Sequence, residues 1–558
     1  MGAVNTNILK STGQLSTQDE AVSGLMFDMS DANMTGYLTP YDGSFSTSDR
    51  IKLILSLSMA ESYGINDKHS DETKATGGKL VFTSTQTTGY VVNVVIEPSF
   101  GNKVTLCKYV VTSNDTTKQL LCQSVADAIN ANTNTHGYTA GTATLTGSDY
   151  GTTLVAPSKM GKSIHSGLSA TVRDSNGVAV TSNITVTQFS GGVGSEIAVL
   201  HYHIKQAFEK NPNINIYVGI YDYSSVTTAE KWDADRLQDM QDYANGTIWQ
   251  FAAFTKEGVG TAGADLLSQI SEHQYVYEQM GANYSQYALG ILTMDTVTDI
   301  ATMANTATLA SGVNLRSAAA RNVTFDFGGS FRSARSKING TKSSTLEYLT
   351  GVTGRSVGTC GAWLGIRSGV KCNVSVAETA SCNLTGNGEF LEGGTSNGFS
   401  WSSINTYSKN LLALLTNNGY LFAKEYPGAS GVYFCTDQNC DELSSDYAES
   451  KSVKTIYKAA RLCYVNSVQI VESQLSKDIE TGLLTNAAMA KVAAPALAVL
   501  TSMSAAGEIS TDSTGAIPDN SVVVNSTIVD GTVTETVKIV QTETLKTLEI
   551  NLGYVKSL

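Results

Sequence analysis

The chain has 558 residues, with 37 Lys+Arg against 50 Asp+Glu and a formal net charge of −13. Hydrophobic residues make up 41%, glycine is common (50) and proline rare (7), which excludes a disordered chain, collagen and a coiled coil. No basic arm or stripe offers a footprint for nucleic acid. Charged residues are only 16%, against roughly 25% in an average soluble domain. Part of the surface is therefore expected to meet protein rather than water, because charge is depleted at interface cores.

Residues 1–20 are polar, small and without helical period, and read as an extended arm. Gly24 to Asp28 reads as a short strand. Thr47-Ser48-Asp49 then reads as the cap of an apolar helix carrying Ile51, Ile54, Leu55 and Met59, ending near Gly64. From Gly77 to Gly192 the composition shifts to Thr, Val, Ser and Gly. Strand signals come at short intervals there, interrupted by one helix over Lys118 to Asn132 with Leu121, Val125 and Ile129 on one face. This segment, 77–193, reads as a β-rich domain inserted into another, since α/β patterning lies on both sides.

After residue 195 helices and strands alternate about every 35 residues, the signature of βαβ units and a mainly parallel sheet. The predicted pairs are Glu196 to Lys210 with Ile214 to Tyr221, Glu230 to Asn245 with Ile248 to Phe254, Ala264 to Gly281 with Tyr287 to Thr293, and Thr298 to Gly312 with Val323 to Phe327. Residues 21–76 and 194–354 are thus expected to form one α/β core. Residues 355–445 are mixed and Gly-rich, with no assignable element. A helix of more than seven turns is predicted from Val453 to Ile479, and an Ala-rich one from Leu483 to Ala505; together they make 446–531 a helical unit. The end is β: Val522 to Asp530, Gly531, then a stretch to Tyr554, with 532–558 read as a strand arm. In it Leu548, Ile550, Leu552 and Tyr554 share one face.

Motifs for chemistry are weak. Gly354-Arg355-Ser356-Val357-Gly358 matches G-x-S-x-G, but no histidine follows residue 273 to complete a triad. His201 and His203 are two apart on a predicted helix and point away from each other, so they do not suit one metal. Cys435 and Cys440 lie in a loop as free thiols or a local disulfide. Asp233, Asp235, Asp239 and Asp242 read as one solvated helix face. Ala156 to Ser163 fits a relaxed P-loop with Lys162 and Ser163, yet the sequence after it alternates like a strand, whereas phosphate binding needs a helix there. No catalytic, cofactor or metal site is assigned. The first residues show no signal-peptide pattern, and no window approaches the roughly 18 apolar residues of a membrane span; the richest, Val492 to Leu500, is short and contains Pro495. The expectation is a chain kept in the cytosol, or leaving it by a route other than a signal peptide.

Taken together, Val22 to Phe27 after an N-terminal arm, the helix Ser124 to Asn132 followed by Tyr138-Thr139-Ala140, the α/β core, the long helix and the terminal strands resemble the tail sheath proteins of contractile bacteriophages and related injection machines. The resemblance covers most of the chain in architecture and leaves 355–445 unplaced. It implies a non-enzymatic virion subunit, assembled in the bacterial host cytoplasm, that polymerises helically around an inner tail tube and contracts to drive the tube through an envelope. The implied partners are copies of itself, the tube protein, and baseplate and tail terminator proteins, with no cofactor, nucleic acid or membrane insertion. Val4, Ile8 and Leu9 at one end, and Leu548, Ile550, Leu552 and Tyr554 at the other, are expected to make strand contacts between subunits. Two other classes compete: a P-loop nucleotide hydrolase using Lys162 and Ser163, and a secreted adhesin or surface-layer protein, against which the missing signal peptide counts.

Overall fold

The computed structural model describes residues 20–29, 49–67, 74–98, 103–158, 160–161, 164–165, 167–192, 195–222, 235–255, 264–284, 286–294, 313–326, 331–332, 359–384, 393–394, 415–426, 428–544 and 546. The first strand, β1 (Val22–Asp28), is buried along its whole length. The next segment departs from the helix expected of it. Ile51–Ile54 is a strand, β2, antiparallel to a core edge, and the helix α1 is only Leu57–Ser62. Ser56, not the Thr47-Ser48-Asp49 run, supplies the cap: its hydroxyl accepts from the Met59 N–H at 3.1 Å. Pairing with an open sheet edge outweighs the helical spacing of Ile51 and Ile54, which both bury as strand residues.

Between the two halves of the core lie β3 (Lys79–Phe82), β4 (Val91–Ile96), β5 (Val104–Val110), helix α2 (Lys118–Ala131), β6 (Thr139–Ala140), β7 (Thr144–Thr146), β8 (Asp149–Val155), β9 (Leu168–Arg173), β10 (Ala179–Val180) and β11 (Ile184–Thr187). They form two antiparallel sheets, ordered β10-β9-β4-β5 and β11-β3-β8-β6, with β7 also on β8. Thr117 caps α2, and Leu121, Val125 and Ile129 bury with Phe82, Val94 and Leu154 in an apolar cluster of their own. Asp115, just ahead of α2, accepts from Tyr109, Thr112 and Ser124. The segment enters and leaves at one point, where Thr76 and Ser190 exchange backbone hydrogen bonds of 2.8 and 2.7 Å.

The second half of the core runs α3 (Glu196–Lys210), β12 (Asn215–Tyr221), α4 (Asp235–Tyr243), β13 (Gln250–Thr255), α5 (Ala264–Tyr284), β14 (Leu289–Met294) and β15 (Val323–Asp326). A short ladder joins β16 (Phe331–Arg332) and β17 (Gly393–Gly394), with helix α6 (Cys360–Gly369) between them in sequence; β18 is Tyr420–Leu421. The main sheet has seven strands, ordered β18-β15-β14-β13-β1-β12-β2, all parallel except β2. The connection reverses direction between β1 and β13, the arrangement of a doubly wound sheet. Side chains alternate across a strand. Phe27 faces α3, where its ring lies 6.3 Å from that of His203. Gly24 faces the other way, against Met240 of α4. The region left unassigned by sequence supplies α6, which packs along α3, and β18, which closes one sheet edge. The helix expected over 298–312 lies outside the described residues.

Beyond β18, β19 (Ala423–Glu425) and β20 (Val432–Phe434) make a hairpin. Helix α7 (Ser450–Ser467) is shorter than its sequence pattern predicts: it passes into one 3-10 turn at Val468–Ile470, and Glu472 takes φ +63°. The apolar stripe continues in sequence, but among the described residues it is only partly covered: Val471 and Leu475 are half-buried, Val468 is exposed and Ile479 is 99% exposed. Helices of this kind persist where packing supports them. Helix α8 (Asn486–Ala505) is capped by Thr485 and buries Ala488, Val492, Ala496, Val499, Leu500 and Met503. Contrary to the sequence expectation, it is long and apolar enough to cross a membrane by length and composition, because its alanines count as apolar; a third of it is buried, in a cluster shared with Ala459 of α7. Last come β21 (Val522–Val529) and β22 (Thr532–Val537), a hairpin turned at Asp530 and Gly531, both with positive φ.

Candidate assembly surface

In a doubly wound sheet, ligands bind beyond the carboxyl ends of the strands near the switch point. Among the described residues of that edge, the end of β15 makes structural contacts. Asp326, at the end of β15, accepts from the Thr293 hydroxyl at 2.8 Å and from the Thr359 hydroxyl at 2.9 Å, and also from the Thr359 N–H at the start of α6. The adjacent Cys360 sulfur lies 3.4 Å from His203 Nδ1. A nucleophilic pair needs a thiolate in an electropositive, accessible setting. Burial, with Asp326 nearby, pushes this thiol far up instead, so the pair packs the helix–helix seam.

The other sequence motifs separate in space. His201 contacts Glu61 at 3.3 Å, whereas His203 contacts Cys360, so the two serve different neighbours. Cys435 and Cys440 are free thiols. Among the described residues no three His, Cys, Asp or Glu gather as metal ligands. Asp239 and Asp242 are exposed on α4, as a solvated face requires. Lys162, Ser163 and the 354–358 motif lie outside the described residues. Among the described residues, Ile164 and His165 stand between Ala156 and the strand β9, and no α-helix is found there.

The C-terminal hairpin has a different character. Val522, Val524, Ile528, Val533 and Val537 are half-buried on its inner face, and β21 packs on α8. The outer face carries exposed Val523, Val529, Thr532, Thr534 and Thr536. Among the described residues it is a two-stranded sheet, and β21 receives one backbone bond from outside it, Leu484 N–H to Ser526 O at 2.7 Å. A two-stranded hairpin is marginal alone, and an open edge invites another strand.

Residues 538–544 continue as an extended strap on the same chain. Val540 O accepts from the Ser510 N–H at 2.8 Å, Thr542 O from Lys451 Nζ at 3.2 Å, and Lys546 pairs with Glu449. Strap, α7 start and the 436–449 loop enclose a polar cleft of about 830 Å³, lined among others by Asp437, Tyr447, Lys451 and Thr542. Sequence reading gave no sign of this cleft, because its walls come from segments about a hundred residues apart. The residues expected to contact neighbouring subunits, Val4, Ile8, Leu9, Leu548, Ile550, Leu552 and Tyr554, all lie outside the described residues.

Residues 161–438 match the family model described as "DUF2586, N-terminal domain". No curated protein matches the chain. Among solved structures, the chain is similar to one from the cryo-EM structure of the anti-feeding prophage baseplate, 6-fold symmetrised. The two share 10% identity at a TM-score of 0.42, over 66% of this chain and 84% of that one.

Proposed function

We propose that this chain is a structural subunit of a contractile tail sheath, polymerising around an inner tube and shortening to drive that tube through a target envelope. The observation that carries the reading is the C-terminal hairpin. It has two strands, a Val- and Thr-bearing face left in water, and a downstream stretch whose apolar residues alternate through Leu548, Ile550, Leu552 and Tyr554. Strands added from neighbouring copies would satisfy both its edge and that stretch. One further feature supports the reading: the β-rich segment, whose ends meet where Thr76 and Ser190 pair. The energy for shortening would come from better contact between subunits in the short state, without nucleotide hydrolysis. The partners are then further copies of the chain, a tube protein, and baseplate and terminator proteins, in a virion tail or a related particle.

Negative-stain microscopy of the purified chain tests this. Tubes or rings are the expected result. A dispersed monomer at high concentration, hydrolysing ATP in a manner lost with Lys162→Ala, would overturn it in favour of a nucleotide hydrolase.

A further inference from the structure

The inner face of the C-terminal hairpin carries one residue that does not suit it. Side chains alternate across a strand, so Glu535 lies between Val533 and Val537 on the face turned to the helices, in register with Val524 of β21. Among the described residues its Oε1 is buried and has no hydrogen-bond partner. Burial pushes its carboxyl above the usual carboxylate range. The nearby Cys463 thiol of α7 is raised to about 11 by burial and by Glu535.

Among the described residues no cation compensates this carboxylate. Strand β21 has no ionisable residue. Lys491, the one such residue in α8, donates to the Gln474 carbonyl at 3.3 Å. The last two turns of α7 carry Arg461, Cys463 and Tyr464, and Arg461 donates to the Ile248 and Tyr287 carbonyls at 3.0 and 2.7 Å. The segment ahead of α8, which bonds to Ser526, holds Lys477, Asp478 and Glu480 exposed, and Lys538 past β22 is exposed as well. A carboxylate oxygen taken out of water with no partner weakens whatever contact buries it. The seat is slight elsewhere too. No residue of either strand is fully buried, and the register slips straight after the Val524–Glu535 pair, with Asn525 to Thr527 set against Thr534 alone. At the base, Val522 and Val537 do pack on the apolar cluster of α7 and α8. A charge turned inward is one of the devices by which proteins blunt an exposed strand edge.

We propose that Glu535 keeps the hairpin loosely seated on its own helices and makes the seat proton-sensitive: protonated, the hairpin closes on α8, and ionised, it lifts readily about its base at Val522 and Val537. The sign follows from burial. The closed state favours the neutral acid, so closure is strongest in acid, weakens as pH rises through the ordinary carboxylate range, and levels off above it. The seat does not depend on the assembly reading, which supplies only its use: a loosely held hairpin is one that a neighbour's strands can take up.

Hydrogen exchange on the full-length chain, dispersed at low concentration, tests this. Rates are read as variant over wild type at each pH, so that the intrinsic pH dependence of exchange cancels. In Glu535→Gln, which keeps the shape and removes the charge, amides of Val522–Val529 and Thr532–Val537 should exchange about tenfold more slowly at pH 7.5, the factor that one unit of carboxyl shift gives. The difference should shrink severalfold at pH 5, with β12, β13 and β14 unchanged at both. Glu535→Val should slow exchange further. Thr534→Val, which adds the same strand propensity on the outer face, should slow it less. Unchanged or faster exchange in Glu535→Gln at pH 7.5, an equal difference at pH 5, or equal effects of the two valine variants would each overturn the seat. A chain that never polymerises would overturn the assembly reading and leave these ratios to be judged alone.

Discussion

Gly361 of α6 lies against the backbone of His203 in α3 so closely that a Cβ placed on it would stand 2.3 Å from the His203 carbonyl oxygen; Gly365, one turn on, would meet the Ala207 carbonyl at 2.5 Å. The two glycines set the distance between helices that are both buried and that position Cys360, Trp363 and Asp326's partner Thr359. Gly→Ala inside a helix ordinarily gains about 1 kcal/mol. Here a backbone clash decides the sign. Gly361→Ala should cost roughly 3 kcal/mol, the upper end of overpacking penalties. The control Gly281→Ala, whose neighbour is the Tyr287 ring at 3.3 Å, should change stability little. Urea melts of both variants check this, and a neutral Gly361→Ala would show that the helices can separate.

This seam also shows what the sequence could and could not reveal. The parallel sheet was legible, because Ile216, Val218 and Ile220 bury within a strand whose neighbours repeat the pattern at regular spacing. So was α2, with its i, i+4, i+8 stripe. Cys360 to Gly369 was not: a helix buried on nearly all sides has no polar face to mark its period, and its two glycines read as loop signals. Ile51–Ile54 failed for the opposite reason, a helical spacing overruled by an edge that needed pairing. The ion pairs of Glu20 with Lys454 and Lys458, of Lys458 with Glu508, and of Arg367 with Asp437 have no local pattern at all, since these residues are brought together only by the fold.

Burial, with Arg367 nearby, holds the Lys454 ammonium down to about 7, despite Glu20. The unfolded chain keeps that proton to about pH 10.4. Between those values the unfolded state binds more protons, so stability rises with pH, and below pH 7 the contribution is flat. The useful window ends near pH 8.5, where the raised thiols of Cys107, Cys122 and Cys440 begin to act in the opposite sense. From pH 7 to 8.5 the wild type should gain about 2 kcal/mol relative to Lys454→Met, at 1.36 kcal/mol per unit. Denaturant midpoints at both pH values measure the difference. Parallel curves would mean that Lys454 stays protonated throughout.

The crossing of Thr76 and Ser190 predicts that the β-rich segment is dispensable for the core. Its ends already exchange two backbone bonds, so removing residues 78–190 with a short Gly/Ser bridge leaves no gap to close. Its apolar cluster is separate from that of the sheet. The deleted chain should be soluble and melt cooperatively. In the proposed lattice it should also still polymerise, because the hairpin and strap are untouched. An insoluble product would show that the core needs the segment to fold.

The two chain ends call for different cuts. The strand arm expected over 532–558 is, as far as Lys546, bound to its own chain: β22 pairs with β21, and Gln541 and Thr542 are held by Ser510, Ser452 and Lys451. Truncation after Gly531 therefore removes half of a hairpin and uncovers Val522 and Val524, and should destabilise α8 and its cluster rather than yield a clean monomer. Truncation after Lys546 spares these contacts and removes Leu548, Ile550, Leu552 and Tyr554. Each would bury about 1.5–3 kcal/mol when packed on a neighbour, so this chain should stay folded but fail to polymerise. Deleting residues 2–18, which spares Glu20, should do the same, and Ile550→Asp should block assembly with the melting temperature nearly unchanged. Sedimentation paired with thermal melts separates these outcomes. Polymers formed by the chain cut after Lys546 would place the terminal stretch outside the lattice contacts, and unfolding of that chain would place it inside the subunit's own core.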